Sequence, residues 1–167
     1  MGAGRALRAS MNGDGLKFFV DSMLGKLARW MRTIGCDVEY ERSIEDDALI
    51  ERALREDRIV LTRDTLLIRR RKLKGRVFFV ESGLAGGQLK AVADMFKLSV
   101  AGFLTRCLRC NALLERIGKE VVKDKAPPYV YQTQSEFSVC PECERIYWAG
   151  THRERMLREI EGMLTGC

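Results

Sequence analysis

The sequence predicts an α/β protein of three layers, in which a mostly parallel sheet lies between helices, followed by a four-cysteine zinc ribbon and a terminal helix. Short apolar runs alternate with longer amphipathic segments as far as residue 98, which is the pattern of parallel strands connected by helices. Two C-x-x-C motifs follow, and they are typical of a small metal-binding module. We therefore expect three parts: a flexible leader at 1–15, an α/β domain at 16–100, and a ribbon with its terminal helix at 101–167.

Four short apolar runs have the length and composition of buried strands. In chain order they are LKFFV (16–20), CDVEY (36–40), RIVLT (58–62) and RVFFV (76–80). Strands of this kind, separated by amphipathic helices, imply a sheet that is covered on both faces. The carboxyl ends of all four strands should then lie at one edge of the sheet.

The first two segments between these strands predict helices with one apolar face. The helix at 22–35 closes at Gly35. A capping box formed by Ser43 and Asp46 precedes the second helix. The residues expected to face inward are Leu24, Leu27, Ala28, Met31 and Ile34 in the first helix, and Leu49, Ile50, Ala53 and Leu54 in the second.

Three further helices are predicted, and two of them have a clear apolar stripe. The segment at 65–73 is short and basic, and the segment at 86–98 follows the fourth strand. A second capping box, Thr151 with Glu154, opens the terminal helix. The apolar stripes comprise Leu89, Val92, Ala93 and Phe96 in the fourth helix, and Met156, Leu157, Ile160, Met163 and Leu164 in the last.

Charge and cysteine content narrow the function classes. The chain has 29 Lys and Arg against 23 Asp and Glu, a net charge of +6, which suits a polyanionic partner such as nucleic acid and equally a solvated basic surface. It has neither the long apolar run of a membrane span nor the apolar core of a signal peptide, so we expect no membrane association and a cytoplasmic location. In a reducing compartment paired C-x-x-C motifs indicate metal rather than disulfides.

Cys107, Cys110, Cys140 and Cys143 form the predicted zinc site, since two C-x-x-C turns supply the four thiolates of a tetrahedral ion. The 29 residues between the motifs include PPYVYQTQSEFSV, which we expect to form strands. The alternative is four unrelated thiols or redox pairs. A closed four-thiolate site is structural and leaves no position for a substrate. We expect Cys36 to be a buried thiol, Cys167 a free terminal thiol and His152 a surface residue.

Asp21, Asp46 and Asp64 are the candidate catalytic residues. Asp21 and Asp64 follow the first and third predicted strands, and Asp46 opens the second helix. Each could be an ordinary helix-capping residue. Together, at one sheet edge, three carboxylates need a cation, and all-oxygen sites select Mg²⁺ or Mn²⁺. The neighbouring cations predicted to bind RNA are Lys26, Arg29, Arg63, Arg69, Arg70, Arg71 and Lys72, although a basic run can also be a solvated helix face.

The motifs FFVDSMLGKLARWMRTIGCDV and RIVLTRD, with the D-x-x-L-I-x-x-A helix between them and the C-x-x-C pair after them, make the sequence recognisable. Over about residues 16–150 the chain resembles the C-terminal ribonuclease domain family of the exonuclease Mut-seven, a PIN-like nuclease domain joined to a zinc ribbon. The resemblance implies metal-dependent RNA cleavage, matches Asp21, Asp46 and Asp64 to the acids, and matches Lys26 and Arg29 to basic positions.

Two positions depart from the family pattern. Gly83 stands after the fourth strand where an acid is common, with Glu81 the nearest carboxylate, and Glu144 stands in the second C-x-x-C turn where glycine is usual. The leading hypothesis is therefore a ribonuclease with a three-aspartate Mg²⁺ or Mn²⁺ site and RNA, such as tRNA or rRNA, as partner. The alternatives are a non-catalytic RNA-binding or adaptor protein and, ranked lower, a toxin-like nuclease.

Overall fold

The computed structural model describes residues 15–150 and 152–165, with only the backbone of His152. Thr151, Cys167, the His152 side chain and the predicted leader up to residue 14 lie outside the described residues, so the expectations for them stay predictions. No helix in the described part of the chain is long and apolar enough to cross a membrane.

Four parallel strands form the main sheet, as the sequence predicts. They are β1 (Lys17–Val20), β2 (Asp37–Tyr40), β3 (Ile59–Thr62) and β4 (Val77–Phe79). Their order in the sheet is β2-β1-β3-β4, and every pairing is parallel. The chain moves outward from β1 to β2 and then returns past β1 to β3, so the order reverses between β1 and β3. Such a reversal opens a crevice at the carboxyl ends of those two strands.

Helices cover both faces of this sheet. They are α1 (Gly25–Thr33), α2 (Asp46–Arg55) and α3 (Ala85–Phe96), together with the terminal helix α5 (His152–Thr165), whereas α4 (Pro128–Thr133) lies in the ribbon. Phe18 and Val20 of β1 face a core shared with α1, α3 and Ile160 of α5, whereas Phe19 faces a second core with α2. Successive strand residues point to opposite faces, and both faces are covered here, which is why Phe18, Phe19 and Val20 are all apolar.

The basic segment at 65–73 is not the helix that the sequence predicts. It forms two separate 3₁₀ turns, Leu67–Arg69 and Arg71–Leu73, and the backbone is extended at Arg70 between them. Leu67 and Leu73 are both fully buried in the α2 core. One continuous helix would not direct both leucines inward at this spacing, so their burial overrides the local helix propensity of the charged residues.

Two details of the α2 prediction are wrong. The helix begins at Asp46 with Glu45 as its N-cap, and no side chain caps it, so Ser43 and Asp46 form no capping box. Leu54 is 37% exposed rather than inward. Each helical residue turns by about 100°, and Leu54 therefore falls outside the stripe that Leu49 and Ala53 centre on the core.

The ribbon has its own antiparallel sheet of β5 (Glu115–Ile117), β6 (Phe137–Val139) and β7 (Ile146–Trp148). The segment expected to be all strand is helical in its first half, as α4, and only its end forms β6. Pro128 at the first turn of α4 favours a helix start. Val130 and Tyr131 then pack on a small core formed by Val122, Ala126 and Phe137.

Candidate functional site

The four predicted zinc ligands converge in the ribbon. Among the described residues, Cys107, Cys110, Cys140 and Cys143 are the one group of potential ligands whose ligand atoms all lie within 4.8 Å of one another. Neighbouring sulfur atoms are separated by 3.2 Å (Cys110–Cys140), 3.4 Å (Cys107–Cys110) and 3.6 Å (Cys107–Cys143). Four Zn–S bonds of about 2.3 Å place sulfurs about 3.8 Å apart, so the cluster fits a tetrahedral zinc ion.

The two C-x-x-C turns have the same backbone geometry. The amide of Asn111 donates to the Cys107 carbonyl (3.0 Å), and the amide of Glu144 donates likewise to the Cys140 carbonyl (2.9 Å). Asn111 and Glu144 both have left-handed backbones, with φ of 70° and 56°. The second turn is therefore regular even though Glu144 replaces the usual glycine, at the cost of a conformation that glutamate adopts reluctantly.

Tyr147 is a further residue of the zinc site that the spacing of the cysteines does not reveal. Its hydroxyl lies 3.1 Å from the Cys107 sulfur and accepts a hydrogen bond from the Leu108 amide (3.2 Å). Although burial raises the pKa of Cys107, the hydrogen bonds from Tyr147 and the turn amides outweigh it and lower that pKa to about 6. The thiolate is thus favoured at Cys107, whereas burial and hydrogen bonds with the neighbouring sulfurs raise the pKa of Cys110, so zinc binding would still release protons from the cluster.

Cys36, predicted to be a buried thiol, is partly buried beside the main core and lies outside this cluster. Burial raises its pKa to about 12, so it stays protonated and unreactive at neutral pH.

Arg32 of α1 joins the ribbon to the main sheet. Its Nε donates to the Val38 carbonyl (2.9 Å), and its Nη1 donates to the carbonyls of Leu108 (3.2 Å) and Arg109 (2.8 Å) inside the first C-x-x-C turn. Asn111 adds a second link, because its Oδ1 accepts from the Val38 amide at 2.9 Å. These contacts lie where β2 begins, which is the amino edge of the sheet.

Gly35 lies at the same edge and allows a close approach of the two parts. A Cβ atom there would lie 2.3 Å from the Gly102 carbonyl oxygen, and the residue has φ of 95°. Only glycine fits both conditions. The ribbon is therefore anchored at the edge opposite to the carboxyl ends of the strands.

Asp21 and Asp64 lie at that opposite, carboxyl edge, after the adjacent strands β1 and β3. Thr62 connects them: its hydroxyl donates to Asp21 Oδ2 (2.7 Å) and accepts from the Asp64 amide (2.9 Å). The Ser22 hydroxyl donates to Asp21 Oδ1 at 3.1 Å. Asp21 is only 8% exposed, so its carboxylate is fixed by the fold rather than free to rotate.

The turn after Asp21 is fixed from β2. The Tyr40 hydroxyl donates to the Ser22 carbonyl at 3.2 Å. This contact requires the glycine at position 25, because a Cβ there would lie 2.7 Å from that hydroxyl. The D-S-M-L-G sequence thus positions a buried carboxylate and leaves room for the tyrosine that secures it.

Asp64 also has the capping role that the sequence allows for it. Its Oδ1 accepts from the amides of Leu66 (2.7 Å) and Leu67 (3.4 Å) and so stabilises the first 3₁₀ turn. Asp21 precedes the turn at Ser22–Leu24 without capping it through its side chain. The capping interpretation therefore holds for Asp64 and fails for Asp21.

Asp46 completes the predicted acidic set at the same edge but does not join a tight cluster. It is exposed at the first position of α2, after β2. The carboxylates of Asp21, Asp46 and Asp64 are not a group within 4.8 Å of one another in the described chain. Beyond β4, Glu81 and Gly83 are both exposed.

The predicted RNA-binding cations follow Asp21 and Asp64 in the chain. Lys26 and Arg29 are exposed on α1, and neither they nor Arg63 form an ion pair with a carboxylate of the described residues. The Nε of Arg63 is buried without a hydrogen-bond partner there. Arg70 is different, because it pairs with Asp47 at 2.9 Å. Arg69, Arg71 and Lys72 are exposed in the two 3₁₀ turns.

Sequence patterns miss Thr62, Arg32, Asn111 and Tyr147. Thr62 is the last strand residue and has the β-branched side chain expected of any strand. Arg32 lies on a helix whose exposed face also carries arginine, so its burial leaves no sign in the sequence. Asn111 and Tyr147 lie close to cysteines in the chain, and that proximity is the only available signal.

Comparison with known protein families matches residues 16–160 to the family described as Mut7-C RNAse domain. A search of curated proteins gave no match. The matched range includes both the main sheet and the ribbon.

Proposed function

We propose that this chain, which belongs to the Mut7-C RNAse domain family, is a metal-dependent ribonuclease that hydrolyses RNA phosphodiesters at the carboxyl edge of its main sheet. The observation that carries the proposal is the Thr62 hydroxyl, which bonds the Asp21 carboxylate and the Asp64 backbone across adjacent strands. These strands flank the point where strand order reverses, where α/β sheets bind their ligands.

The donors at this edge fit Mg²⁺ or Mn²⁺. Asp21, Asp46 and Asp64 offer carboxylate oxygens alone, which such ions prefer. Mg²⁺ usually keeps several waters and binds through one or two carboxylates together with substrate phosphates, so a loose group of acids suits it. When bound, the ion supplies an activated water and stabilises charge on the phosphate.

The chain's own residues would orient the acids and hold the RNA. Thr62 and Ser22 fix the Asp21 carboxylate, while Asp64 uses Oδ1 for backbone amides and leaves Oδ2 for a ligand. Lys26, Arg29 and Arg63 have no ion pair among the described residues and are available to phosphates. The remaining predicted RNA contacts are Arg69, Arg70, Arg71 and Lys72.

In this proposal Zn²⁺ in the ribbon is structural, because four thiolates leave no open coordination position. RNA, with tRNA and rRNA as the candidates, is the partner. The division into 16–100 and 101–167 separates a part that performs the chemistry from a part that does not. The cytoplasm, whose reducing conditions keep the thiolates available to zinc, is the proposed location.

The test is cleavage of RNA by the zinc-loaded chain in Mn²⁺ or Mg²⁺, compared with Asp64→Asn. Loss of a metal ligand should reduce the cleavage rate at least about 100-fold. Mutation of residues that only hydrogen-bond to a metal ligand already lowers activity or metal affinity by about 10- to 100-fold. Asp124→Asn, at an exposed ribbon position, is the matched control and should cut at the wild-type rate. Wild-type cleavage by Asp64→Asn with unchanged thermal stability would show that the site is wrongly assigned.

A non-catalytic RNA-binding or adaptor protein is the second candidate. It is favoured by Gly83 at the position where an acid is common, and by the absence of a tight carboxylate cluster in the described residues. A Mn²⁺ titration separates the two proposals. Binding that is lost in Asp21→Asn supports the ribonuclease, whereas an edge that binds no Mn²⁺ while the chain still binds RNA supports the adaptor.

A further inference from the structure

Helix α1 runs from the acidic edge to the zinc site. It begins one turn after Asp21, whose carbonyl accepts a hydrogen bond from the Leu24 amide at 2.9 Å. The helix has nine residues and ends beside the ribbon, where the Thr33 carbonyl accepts a hydrogen bond from the Leu104 amide at 2.8 Å. At 1.5 Å per residue it spans about 13 Å, and it connects the region that carries the acids with the region that carries the thiolates.

The exposed face of α1 is basic. Lys26 and Arg29 are both exposed, and residues three positions apart on a helix share one face. The helix contains no acidic residue, and within the described chain neither cation forms an ion pair. Both charges are therefore available to an anionic ligand.

The first C-x-x-C turn adds a third cation at the end of this face. Arg32 lies one turn after Arg29 on the helix, and its Nη1 donates to the Arg109 carbonyl at 2.8 Å. This bond holds the backbone of Arg109 against the turn of α1 that follows Arg29. The Arg109 side chain is exposed and forms no ion pair with the described residues. Lys26, Arg29 and Arg109 thus form a basic track from the acidic edge to the zinc turn.

The second C-x-x-C turn lacks this cation. It has the same backbone hydrogen bond as the first turn, but Glu142 stands at the position that Arg109 occupies in the first. Among the described residues no hydrogen bond joins the second turn to α1. Because both turns offer zinc the same two thiolates, zinc binding does not account for the arginine in the turn that contacts α1.

We propose that Arg109 is an RNA-binding residue and that one RNA strand lies along α1, with its phosphates on Lys26, Arg29 and Arg109. The inference rests on RNA being the ligand of this chain, which is part of the proposed function. Phosphate contacts supply most of the affinity of basic surfaces for nucleic acid, and a row of cations matches the repeated charge of one strand. The zinc site then contributes to RNA binding, because the turn that it closes holds the cation furthest from the acids.

The test measures the affinity of the full-length, zinc-loaded chain for a short single-stranded RNA of mixed sequence. Fluorescence anisotropy is recorded over a range of KCl concentrations, without added Mg²⁺ or Mn²⁺. Arg109→Ala should weaken binding roughly three- to tenfold at low salt and reduce the slope of log affinity against log salt by about 0.7, the value for one phosphate of a single strand. Lys26→Ala and Arg29→Ala should each act similarly, and the triple variant should reduce the slope by about 2.

Arg145→Ala is the matched control. It removes the same charge from an exposed residue directly after the second turn and should weaken binding less than about twofold. Arg109→Lys keeps the charge and should retain most of the affinity. Arg109→Ala should fold normally, because Arg32 contacts the backbone carbonyl, which alanine also has. Zinc content and thermal stability verify this.

Two outcomes would overturn the proposal: wild-type affinity and salt slope in Arg109→Ala, and an equal loss of affinity in Arg145→Ala. Neither outcome affects the ribonuclease assignment, which cleavage by Asp64→Asn tests separately. Since binding is measured without a catalytic metal, a chain whose RNA affinity depends on Arg109 but which never cuts RNA would refute the ribonuclease and support this proposal. A wild-type chain that binds no RNA would refute both.

Discussion

The zinc cluster and the acidic edge differ in how their ligands are assembled. In the ribbon all four sulfurs lie within 4.8 Å of one another. At the sheet edge Asp21 is buried, Asp64 is partly engaged by a turn and Asp46 is exposed, and they form no comparably tight group. The cysteines come in pairs on two short turns, whereas each aspartate follows a different strand.

Under the proposed function, this difference makes the cysteine cluster the structural site and the acidic edge the site suited to chemistry. A closed tetrahedron of thiolates stabilises the turns that carry it and admits no further ligand. At the acidic edge, Thr62 and backbone amides engage some of the carboxylate oxygens of Asp21 and Asp64, and a group this loose would leave room for waters and a phosphate. The tight site can be inferred from spacing alone, while the open site depends on how the sheet is ordered.

The largest expected effect comes from removing one cysteine of the four-cysteine cluster. Cys140→Ser removes a buried zinc ligand, and structural zinc binding is worth about 10–16 kcal/mol in small zinc modules. We expect loss of stoichiometric zinc and loss of amide protection across 104–148, measured by metal analysis and hydrogen exchange. Cys36→Ser, at a thiol outside the cluster, is the control and should keep its zinc. A Cys140→Ser chain that retains both zinc and protection would contradict the closed site.

The next effect tests the connection between the two regions. Arg32→Met leaves the carbonyls of Val38, Leu108 and Arg109 without their shared donor, which should lower the free energy of unfolding by about 2–4 kcal/mol. The measurement is urea denaturation of the zinc-loaded protein. Arg55→Met, at a 71% exposed side chain, should change stability by less than about 0.5 kcal/mol. Equal stability of both variants would mean that the ribbon is not anchored through Arg32.

The smallest expected effect comes from removing the hydrogen bond between Thr62 and Asp21 at the acidic edge. Thr62→Val keeps the shape of the buried side chain but removes the donor to Asp21, and residues that orient metal ligands are worth about 10- to 100-fold in activity or metal affinity. We expect a loss in that range in RNA cleavage and in Mn²⁺ affinity. Thr62→Ser, which keeps the hydroxyl, should restore most of both. If Thr62→Val matches the wild type in both assays, the hydrogen bond to Asp21 does not position the acid.

Individual elements show where sequence patterns succeed. The parallel strands and the clustering of the four cysteines are predicted correctly because their signals are local: apolar runs of strand length, and cysteine pairs that a single turn can present. The helix predicted at 65–73 is wrong because Leu67 and Leu73 are both buried, and two separate 3₁₀ turns direct both side chains into the core. The strand expected in PPYVYQT fails because Pro128 starts a helix. In both cases packing or turn chemistry overrides the pattern.

By itself, the sequence determined the α/β class, the ribbon, the pairing of its cysteines on two turns and the position of each aspartate relative to a strand. Those features depend on residue spacing along a few turns of chain. Only the tertiary structure decided that β1 and β3 are neighbours, that Thr62 joins Asp21 to the Asp64 backbone, and that the ribbon docks through Arg32 at the opposite edge. These contacts join residues distant in the chain, and strand order and helix packing, rather than local spacing, bring them together.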